Sequence, residues 1–412
     1  MQRPVFALVF GLALGAIGTA ALLPADAQRG GRGDPPAGNS PERDDCGLSH
    51  FCGPAYKFIP SEKPASPADG PGWRSGQGVR MENGVVVQRG GTDGWGRACW
   101  GAAMCAWRAT PNNIHVVHKP DLGLTYSYPF QFPAGIEGGV TGIAINSKDH
   151  VFAYVRANPG QPQIFEFDAN HKFVRSFGVN LAGKTHGLAI DPEDNIWATD
   201  QFGDTIYKFS PEGKLLRTFG VKGQRGDWDE SKNQRLLWQP MHVAFGPDGD
   251  AYIAMGHGNE SPNDGAARVL HLDRNGNFVG QWFGNHNGPG KFSMAHGIAV
   301  DPKSGNVWIA DREQYRMVVY DRTGRFIRTI QSENLICGLY FDPSGQLWAS
   351  TGGDGQIVKL DGMGRITGVA GEGPGRGNGQ FAESNYIVMD KRGNLYVGDT
   401  SVTRVTMMAP RR

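Results

Sequence analysis

The chain has 412 residues and a formal net charge of +1 at pH 7, with 61 glycines and 26 prolines. A net charge this close to zero argues against the strongly basic surface of a nucleic-acid-binding domain, so we expect no nucleic-acid partner. The high glycine and proline content, without any long amphipathic segment, favours a turn-rich all-β protein. The length is ample for a large core.

The N-terminus has the pattern of an export signal, which makes residues 1–27 a predicted signal peptide. A positively charged start precedes the apolar stretch Val5–Leu23, and Ala25 and Ala27 form a small-x-small cleavage site. The alternative is an uncleaved membrane anchor, because the stretch is nearly long enough to span a bilayer. With cleavage, the protein is expected to be periplasmic or secreted, with no membrane association beyond the signal. Residues 28–45 are Gly/Pro/Asp/Arg-rich and predict a disordered linker.

Four of the five cysteines lie in segment 46–137, which shows no repeat and is expected to cap or close the fold. They form two close pairs, Cys46 with Cys52 and Cys99 with Cys105. In an oxidising compartment these predict two disulfides, with three pairings open and a four-thiolate zinc site as the alternative. The fifth, Cys337, lies inside a repeat and is expected to be a small buried hydrophobe.

From residue 138 onward the chain repeats a unit of about 40–45 residues six times, and a period in this range decides the fold. The clearest copies begin at Thr185 and Ala295. Each copy holds four short runs rich in β-branched and aromatic residues, separated by turns of the D-P-x-x-N and G-K types. Four strands per unit, repeated radially, predict an all-β, six-bladed β-propeller over residues 138–412.

The last repeat has only about three strands before the chain ends at Arg412. A segment before the repeats, either Asn113–Lys119 or Leu122–Tyr128, is therefore expected to supply the fourth strand. Such pairing would cover an otherwise open sheet edge and close the ring.

The repeat register predicts which side chains share the central channel. The first residues of the innermost strands should face the axis, namely Thr141, His186, Met241, His296, Cys337 and Asn385. His186 and His296 lie in alternating blades, so their neutral imidazoles should converge as a zinc site requires. His242 lies one residue later and is a further candidate, although side-chain direction alternates along a strand. The alternative is a wet channel whose histidines hydrogen-bond to water.

A second register lies just past the second strand of each blade. Arg156 and Arg312 hold it in the first and fourth repeats, and His257 follows it closely in the third. Two guanidinium groups above two histidines would suit a carboxylate, which arginine binds in a bidentate way. The alternative is a surface ion pair between each arginine and a neighbouring acid.

These motifs resemble the peptidyl-α-hydroxyglycine α-amidating lyase family, which are six-bladed propellers of the NHL-repeat type. The H-G-L-x-I-D string at His186 and the H-G-I-A string at His296 resemble two family zinc-histidine motifs. The A-D-R-E string around Arg312 and the strand end at Arg156 resemble the places of two family active-site arginines. The closing string NLYVGDTSVTRV also resembles the family's last blade.

The resemblance implies a zinc-dependent lyase that cleaves the C–N bond of an N-acyl-α-hydroxyglycine to an amide and glyoxylate. It also implies a structural calcium in the channel, although the family's acidic ligand falls at Tyr386. Asn385 stands where the family has its third zinc histidine, so Asn385 and His242 are candidate ligands that complete the metal site, with His257 as an alternative. His257 stands in place of the family's catalytic tyrosine and is expected to act as the general base, because its pKa suits that role.

Two other functions compete with this one. A secreted, non-catalytic NHL propeller could bind proteins or glycans through its faces, and a related metal-dependent hydrolase could act on another substrate. The fold alone does not decide between them. The enzyme interpretation predicts a small-molecule or peptide substrate with a carboxylate, bound by a monomer.

Overall fold

The computed structural model describes residues 80–82, 85–88, 116–117, 120–256, 267–284, 290–292, 294–312, 316–332 and 334–411. The expected signal peptide and linker lie outside these residues, as does His257. The four cysteines expected to form disulfides are also outside them, namely Cys46, Cys52, Cys99 and Cys105. Within the described parts of the chain, no helix has the length and apolar composition needed to cross a membrane.

Six four-stranded antiparallel sheets form the blades of a propeller, which confirms the predicted fold. In chain order, blade 1 consists of Val140–Ile145, Val151–Val155, Ile164–Phe167 and Phe173–Phe177, blade 2 of Thr185–Ile190, Ile196–Asp200, Thr205–Phe209 and Leu215–Phe219, and blade 3 of Pro240–Phe245, Ala251–Met255, Arg268–Leu272 and Phe278–Phe283. Blade 4 consists of Ala295–Val300, Val307–Asp311, Arg316–Tyr320 and Phe326–Gln331, blade 5 of Gly338–Phe341, Leu347–Ser350, Ile357–Leu360 and Ile366–Ala370, and blade 6 of Ser384–Met389, Leu395–Asp399, Val405–Pro410 and Leu124–Ser127. The first strand of each blade is the innermost.

Blade 6 closes the ring by combining the two ends of the repeat region. Leu124–Ser127 pairs antiparallel with Val405–Pro410, with Tyr126 opposite Met408. The Tyr126 hydroxyl also accepts a hydrogen bond from the Gly371 N–H at 2.7 Å. The segment Leu122–Tyr128 therefore supplies the missing strand as predicted, and the alternative Asn113–Lys119 was wrong.

Two small hairpins among the described residues lie outside the blades. One pairs Arg80–Glu82 with Val85–Gln88. The other, between blades 2 and 3, pairs Trp228–Asp229 with Gln234–Arg235 around a 3-10 helix at Glu230–Lys232.

The apolar core lies between neighbouring blades rather than at the axis. Six buried clusters each join two adjacent blades, and together they run once around the ring. Between blades 2 and 3, for example, Trp197 stacks on Phe219 and packs edge-on against Phe245. Because blade-to-blade packing buries the apolar faces, the axis is left to polar side chains from the innermost strands.

The repeated aspartate turn ties the first two strands of a blade together. Asp191 accepts hydrogen bonds from the N–H groups of Glu193 and Asn195 and from the Trp197 indole at 3.0 Å. It also forms an ion pair with Lys208 at 2.8 Å. In the same way, Asp342 in blade 5 accepts a hydrogen bond from the Trp348 indole, and Asp390 in blade 6 accepts one from the Tyr396 hydroxyl. Each aromatic residue lies in the second strand of its blade.

Blade 4 has the turn aspartate but lacks the bond to the aromatic residue. Asp301 bonds to the N–H of Lys303 and to the Ser304 hydroxyl. The Trp308 indole N–H is buried and has no hydrogen-bond partner among the described residues. Asp301 therefore stabilises only its own turn, which makes it a matched control for Asp191.

We predict that Asp191→Ala lowers the free energy of unfolding by roughly 2–3 kcal/mol, because several partners lose a buried acceptor. Asp301→Ala should lower it by about half as much, since only turn bonds are lost. Urea unfolding followed by tryptophan fluorescence measures both. An equal loss of unfolding free energy in the two variants would contradict a stabilising bond between the turn aspartate and the aromatic side chain.

Candidate active site

Three innermost strands bring His186, His296 and Asn385 to one cavity at the propeller axis. Each is the second residue of its strand, and the strands belong to blades 2, 4 and 6, which alternate around the ring. The two imidazole centroids are 4.9 Å apart. The three residues are 3%, 1% and 3% exposed, respectively. The structure thus brings together three of the residues selected by the repeat register.

Backbone carbonyl groups determine which nitrogen of each histidine carries the proton. The Nδ1 atom of His186 lies 3.1 Å from the Met241 carbonyl oxygen, and that of His296 lies 2.9 Å from the Cys337 carbonyl oxygen. A carbonyl oxygen can only accept, so Nδ1 donates in both rings. The lone pair then resides on Nε2, which is the form of histidine that binds a metal.

Both histidines are neutral at physiological pH for an electrostatic reason. Burial lowers the pKa of His186 well below its usual value, and the guanidinium groups of Arg156 and Arg312 lower it further. Burial likewise lowers the pKa of His296, with Arg312 as the next cause. Their Nε2 lone pairs are therefore not protonated near neutrality.

Asn385 presents an acceptor that none of the described residues satisfies. Its Nδ2 group donates to the Thr141 carbonyl oxygen at 2.7 Å, which fixes the direction of the amide. Its Oδ1 atom is buried and has no hydrogen-bond partner among the described residues. A buried oxygen of this kind is normally satisfied by a donor, a water or a cation.

His242 does not line this cavity with the other candidates. Its Nδ1 atom lies 3.2 Å from the Ile298 carbonyl oxygen, and its ring stacks on Tyr386 with centroids 4.1 Å apart. Its burial lowers its pKa to about 4. His242 thus lies beside Tyr386, which contacts His186, and is not among the residues that line the cavity.

The second register places three side chains at the same cavity. Arg156, Arg312 and Thr400 are the first residues after the second strands of blades 1, 4 and 6, and all three line it. Arg312 is 1% exposed and donates from Nη1 to the Nε2 atom of His296 at 2.8 Å. The guanidinium group thus uses the lone pair that a metal at His296 would need.

Lys184 and Glu383 also line the cavity, and the sequence reasoning missed both. They lie two residues before His186 and Asn385, respectively, so they share one side of the extended chain. The positions two residues before the axis-facing ones were the signal in the sequence that could have identified Lys184 and Glu383. The cavity therefore has three cationic side chains, from Arg156, Lys184 and Arg312, against the one carboxylate of Glu383, which favours an anionic ligand.

Two of the three donor groups at the axis, the imidazoles, are of the kind that zinc binds, and the third is an amide oxygen. The two Nε2 atoms and the Asn385 Oδ1 atom make three protein ligands, the number typical of catalytic zinc. Across the described residues, no group of three His, Cys, Asp or Glu side chains is arranged to hold a metal, so Asn385 is the third donor available there. The cavity encloses about 10 Å³, room for about one water-sized group. Metal binding would require Arg312 to release His296.

Comparison with known proteins shows similarity to amidating enzymes and to NHL proteins. The NHL repeat family model matches residues 292–320, which include His296. The chain is 30% identical over 257 residues to peptidylglycine alpha-amidating monooxygenase of Rattus norvegicus, covering 55% of this chain and 24% of that protein. It is 26% identical over 257 residues to peptidyl-alpha-hydroxyglycine alpha-amidating lyase 1 of Drosophila melanogaster, covering 53% and 45%, respectively. The chain thus spans less than half the length of these curated relatives.

Among solved structures, a gluconolactonase of Xanthomonas campestris aligns with a TM-score of 0.50. The sequence identity is 14%, and the alignment covers 70% of this chain and 90% of that one. At this identity the similarity concerns the fold alone.

The lowered pKa of His242 predicts a pH-dependent stability. The unfolded chain binds a proton at this histidine near pH 6.5, whereas the folded chain binds it only near pH 4. Stability contributed by the neutral ring is therefore present above pH 6.5 and lost as the pH falls towards 4. We expect the midpoint of thermal unfolding to fall more over this range in the wild type than in His242→Phe. Parallel pH profiles would contradict this assignment.

Proposed function

We propose that the chain, which resembles the peptidyl-α-hydroxyglycine α-amidating lyase family of NHL-repeat propellers, is an exported, zinc-dependent carbon–nitrogen lyase. Its proposed substrate is an N-acyl-α-hydroxyglycine, which it would convert to an amide and glyoxylate. The observation that carries the proposal is one buried cavity in which two neutral imidazoles meet two arginines. Export rests on the N-terminal signal pattern of residues 1–27.

The cationic side chains support recognition of the substrate carboxylate. Arg156 and Arg312 reach the cavity from blades 1 and 4, and Lys184 reaches it from the start of blade 2. A guanidinium group matches a carboxylate through two parallel N–H bonds. In this proposal Arg312 exchanges its bond to His296 for one to the substrate, so substrate and metal sites are occupied together.

The reaction balances without an oxidant or reductant. The α-hydroxyl group loses its proton, the carbon–oxygen bond becomes a carbonyl, and the C–N bond breaks with its electron pair passing to nitrogen. The nitrogen takes up a proton, which gives the primary amide, and the other product is glyoxylate. The protein must therefore accept one proton, supply one proton and hold the carboxylate still.

His186, His296 and Asn385 would hold the zinc. When bound, zinc supplies Lewis acidity that lowers the pKa of a hydroxyl group beside it. The Nδ1–H bonds to the Met241 and Cys337 carbonyl oxygens fix the orientation of both rings. The bond from Asn385 to the Thr141 carbonyl oxygen aims its Oδ1 atom in the same way.

Two groups are candidates for moving the proton. His257 is the base predicted from the sequence, and it lies outside the described residues. Glu383 is the carboxylate that lines the cavity. We propose His257 as the base. Glu383 is its competitor, because a general base must lie within hydrogen-bond reach of the substrate and Glu383 lines the cavity.

We predict that the purified protein with zinc releases glyoxylate from a small N-acyl-α-hydroxyglycine. His186→Ala should lower kcat/KM by roughly 100-fold or more, because it removes a metal ligand. His150→Ala is the matched control, since His150 pairs with Glu166 at 2.7 Å and does not line the cavity. Colorimetric detection of glyoxylate measures the rates of the wild type and of both variants.

Equal rates in the wild type and His186→Ala would contradict the lyase assignment and favour a binding propeller or another substrate. The same assay separates the proton-transfer candidates. Loss of the base should lower kcat by about 100- to 10,000-fold. If His257→Ala retains full turnover while Glu383→Gln does not, then Glu383 rather than His257 is the base.

A further inference from the structure

A pair of stacked rings closes the axis of the propeller next to the proposed zinc ligands. In blades 1, 2, 4 and 5 the residue after the axis-facing one is glycine, namely Gly142, Gly187, Gly297 and Gly338. Blades 3 and 6 have His242 and Tyr386 at this position. These two blades lie opposite each other in a six-bladed ring, and their rings stack with centroids 4.1 Å apart at 21°.

The local backbone explains how consecutive residues both reach the axis. Pairing of the first two strands of blade 6 shifts between Ser384 and Ile387, and in blade 3 it shifts between Pro240 and His242. Such a β-bulge breaks the alternation of side-chain direction. Asn385 can therefore line the cavity while Tyr386, the next residue, stacks on His242.

The Tyr386 hydroxyl connects blade 6 to three other blades. It lies 3.0 Å from the His296 carbonyl oxygen, 3.3 Å from the Met241 carbonyl oxygen and 3.0 Å from the Nδ1 atom of His186. The hydroxyl has one hydrogen, which goes to the closer carbonyl, of His296. It accepts from the Nδ1–H group of His186, whose hydrogen is shared with the Met241 carbonyl oxygen.

Glycines make room for the two rings. A Cβ atom at position 187 would lie 2.3 Å from the Met241 carbonyl oxygen and 2.9 Å from the His242 ring. A Cβ atom at position 338 would lie 2.3 Å from the Asn385 carbonyl oxygen and 3.2 Å from the Tyr386 ring. Larger residues at Gly187 or Gly338 would therefore collide with the neighbouring innermost strand and crowd the stacked pair.

The surroundings of the hydroxyl do not fit a calcium ion. Two converging carbonyl oxygens are hard donors that calcium accepts, but calcium takes six to eight oxygens and usually a carboxylate among them. Here the point between the carbonyls of Met241 and His296 is occupied by the hydroxyl of Tyr386. The nearest further group is the Nδ1–H of His186, which is a donor and would repel a cation.

We propose that the His242–Tyr386 pair takes the place of a structural cation at the propeller axis. The hydroxyl of Tyr386 satisfies the His296 carbonyl oxygen, and the Nδ1–H group of His186 serves the Met241 carbonyl oxygen beside it. The stacked rings fill the remaining space. Folding is then independent of calcium, whether or not the neighbouring cavity holds zinc. The inference goes beyond the proposed lyase activity and does not depend on it.

The first test uses the wild-type protein with zinc held constant. After dialysis against calcium-free buffer, addition of millimolar calcium should leave the midpoint of thermal unfolding unchanged, and elemental analysis should find no bound calcium. One calcium per chain, or a calcium-dependent rise in the midpoint, would overturn the proposal.

The second test compares Tyr386→Phe with Tyr252→Phe. Among the described residues, the Tyr252 hydroxyl donates to the Arg322 carbonyl oxygen alone, at 3.3 Å. Its ring also stacks on a histidine, His271. Because Tyr386 serves several backbone and side-chain groups, its variant should lower the unfolding midpoint by about twice as much as the Tyr252 variant. Equal shifts would contradict the role assigned to the hydroxyl.

Discussion

All of the functional geometry depends on one constraint, the arrival of six innermost strands at a common axis. Apolar packing between neighbouring blades fixes each strand, so residues at one register meet even when they are far apart in sequence. His186, His296 and Asn385 meet in this way from three alternating blades. One of the interblade hydrogen bonds, from the Asn385 side chain to the Thr141 carbonyl oxygen, shows how closely these strands approach.

The same constraint produces the electrostatics of the site. A cavity enclosed by polypeptide desolvates its histidines, and the arginines beside them add to the shift, so both imidazoles stay neutral. The excess of cationic over carboxylate side chains leaves a charge that an anionic ligand would balance. A metal ion would require the neutral nitrogen donors, and a carboxylate substrate would require the guanidinium groups beside them.

The sequence predicts the fold and much of the candidate site because both follow from periodicity. The family resemblance is confirmed by the matched relatives, while the roles of the His and Arg motifs stay predictions. Positions such as Arg156 and His296 could be found because each stands at a fixed distance from a strand end. Tyr386 could not be placed, because a bulge breaks the alternation on which such reasoning depends. Hydrogen bonds such as that of Arg312 to His296 follow from three-dimensional proximity, which no repeat register contains.

The central claim is that alternating blades build one metal site at the axis, and anomalous X-ray scattering at the zinc edge tests it most directly. Crystals of the protein grown with zinc should show a single strong peak about 2 Å from the Nε2 atoms of His186 and His296. The peak should also lie within bonding distance of the Asn385 Oδ1 atom. A metal peak elsewhere, or none at the axis with the histidines still hydrogen-bonded as described, would contradict the account.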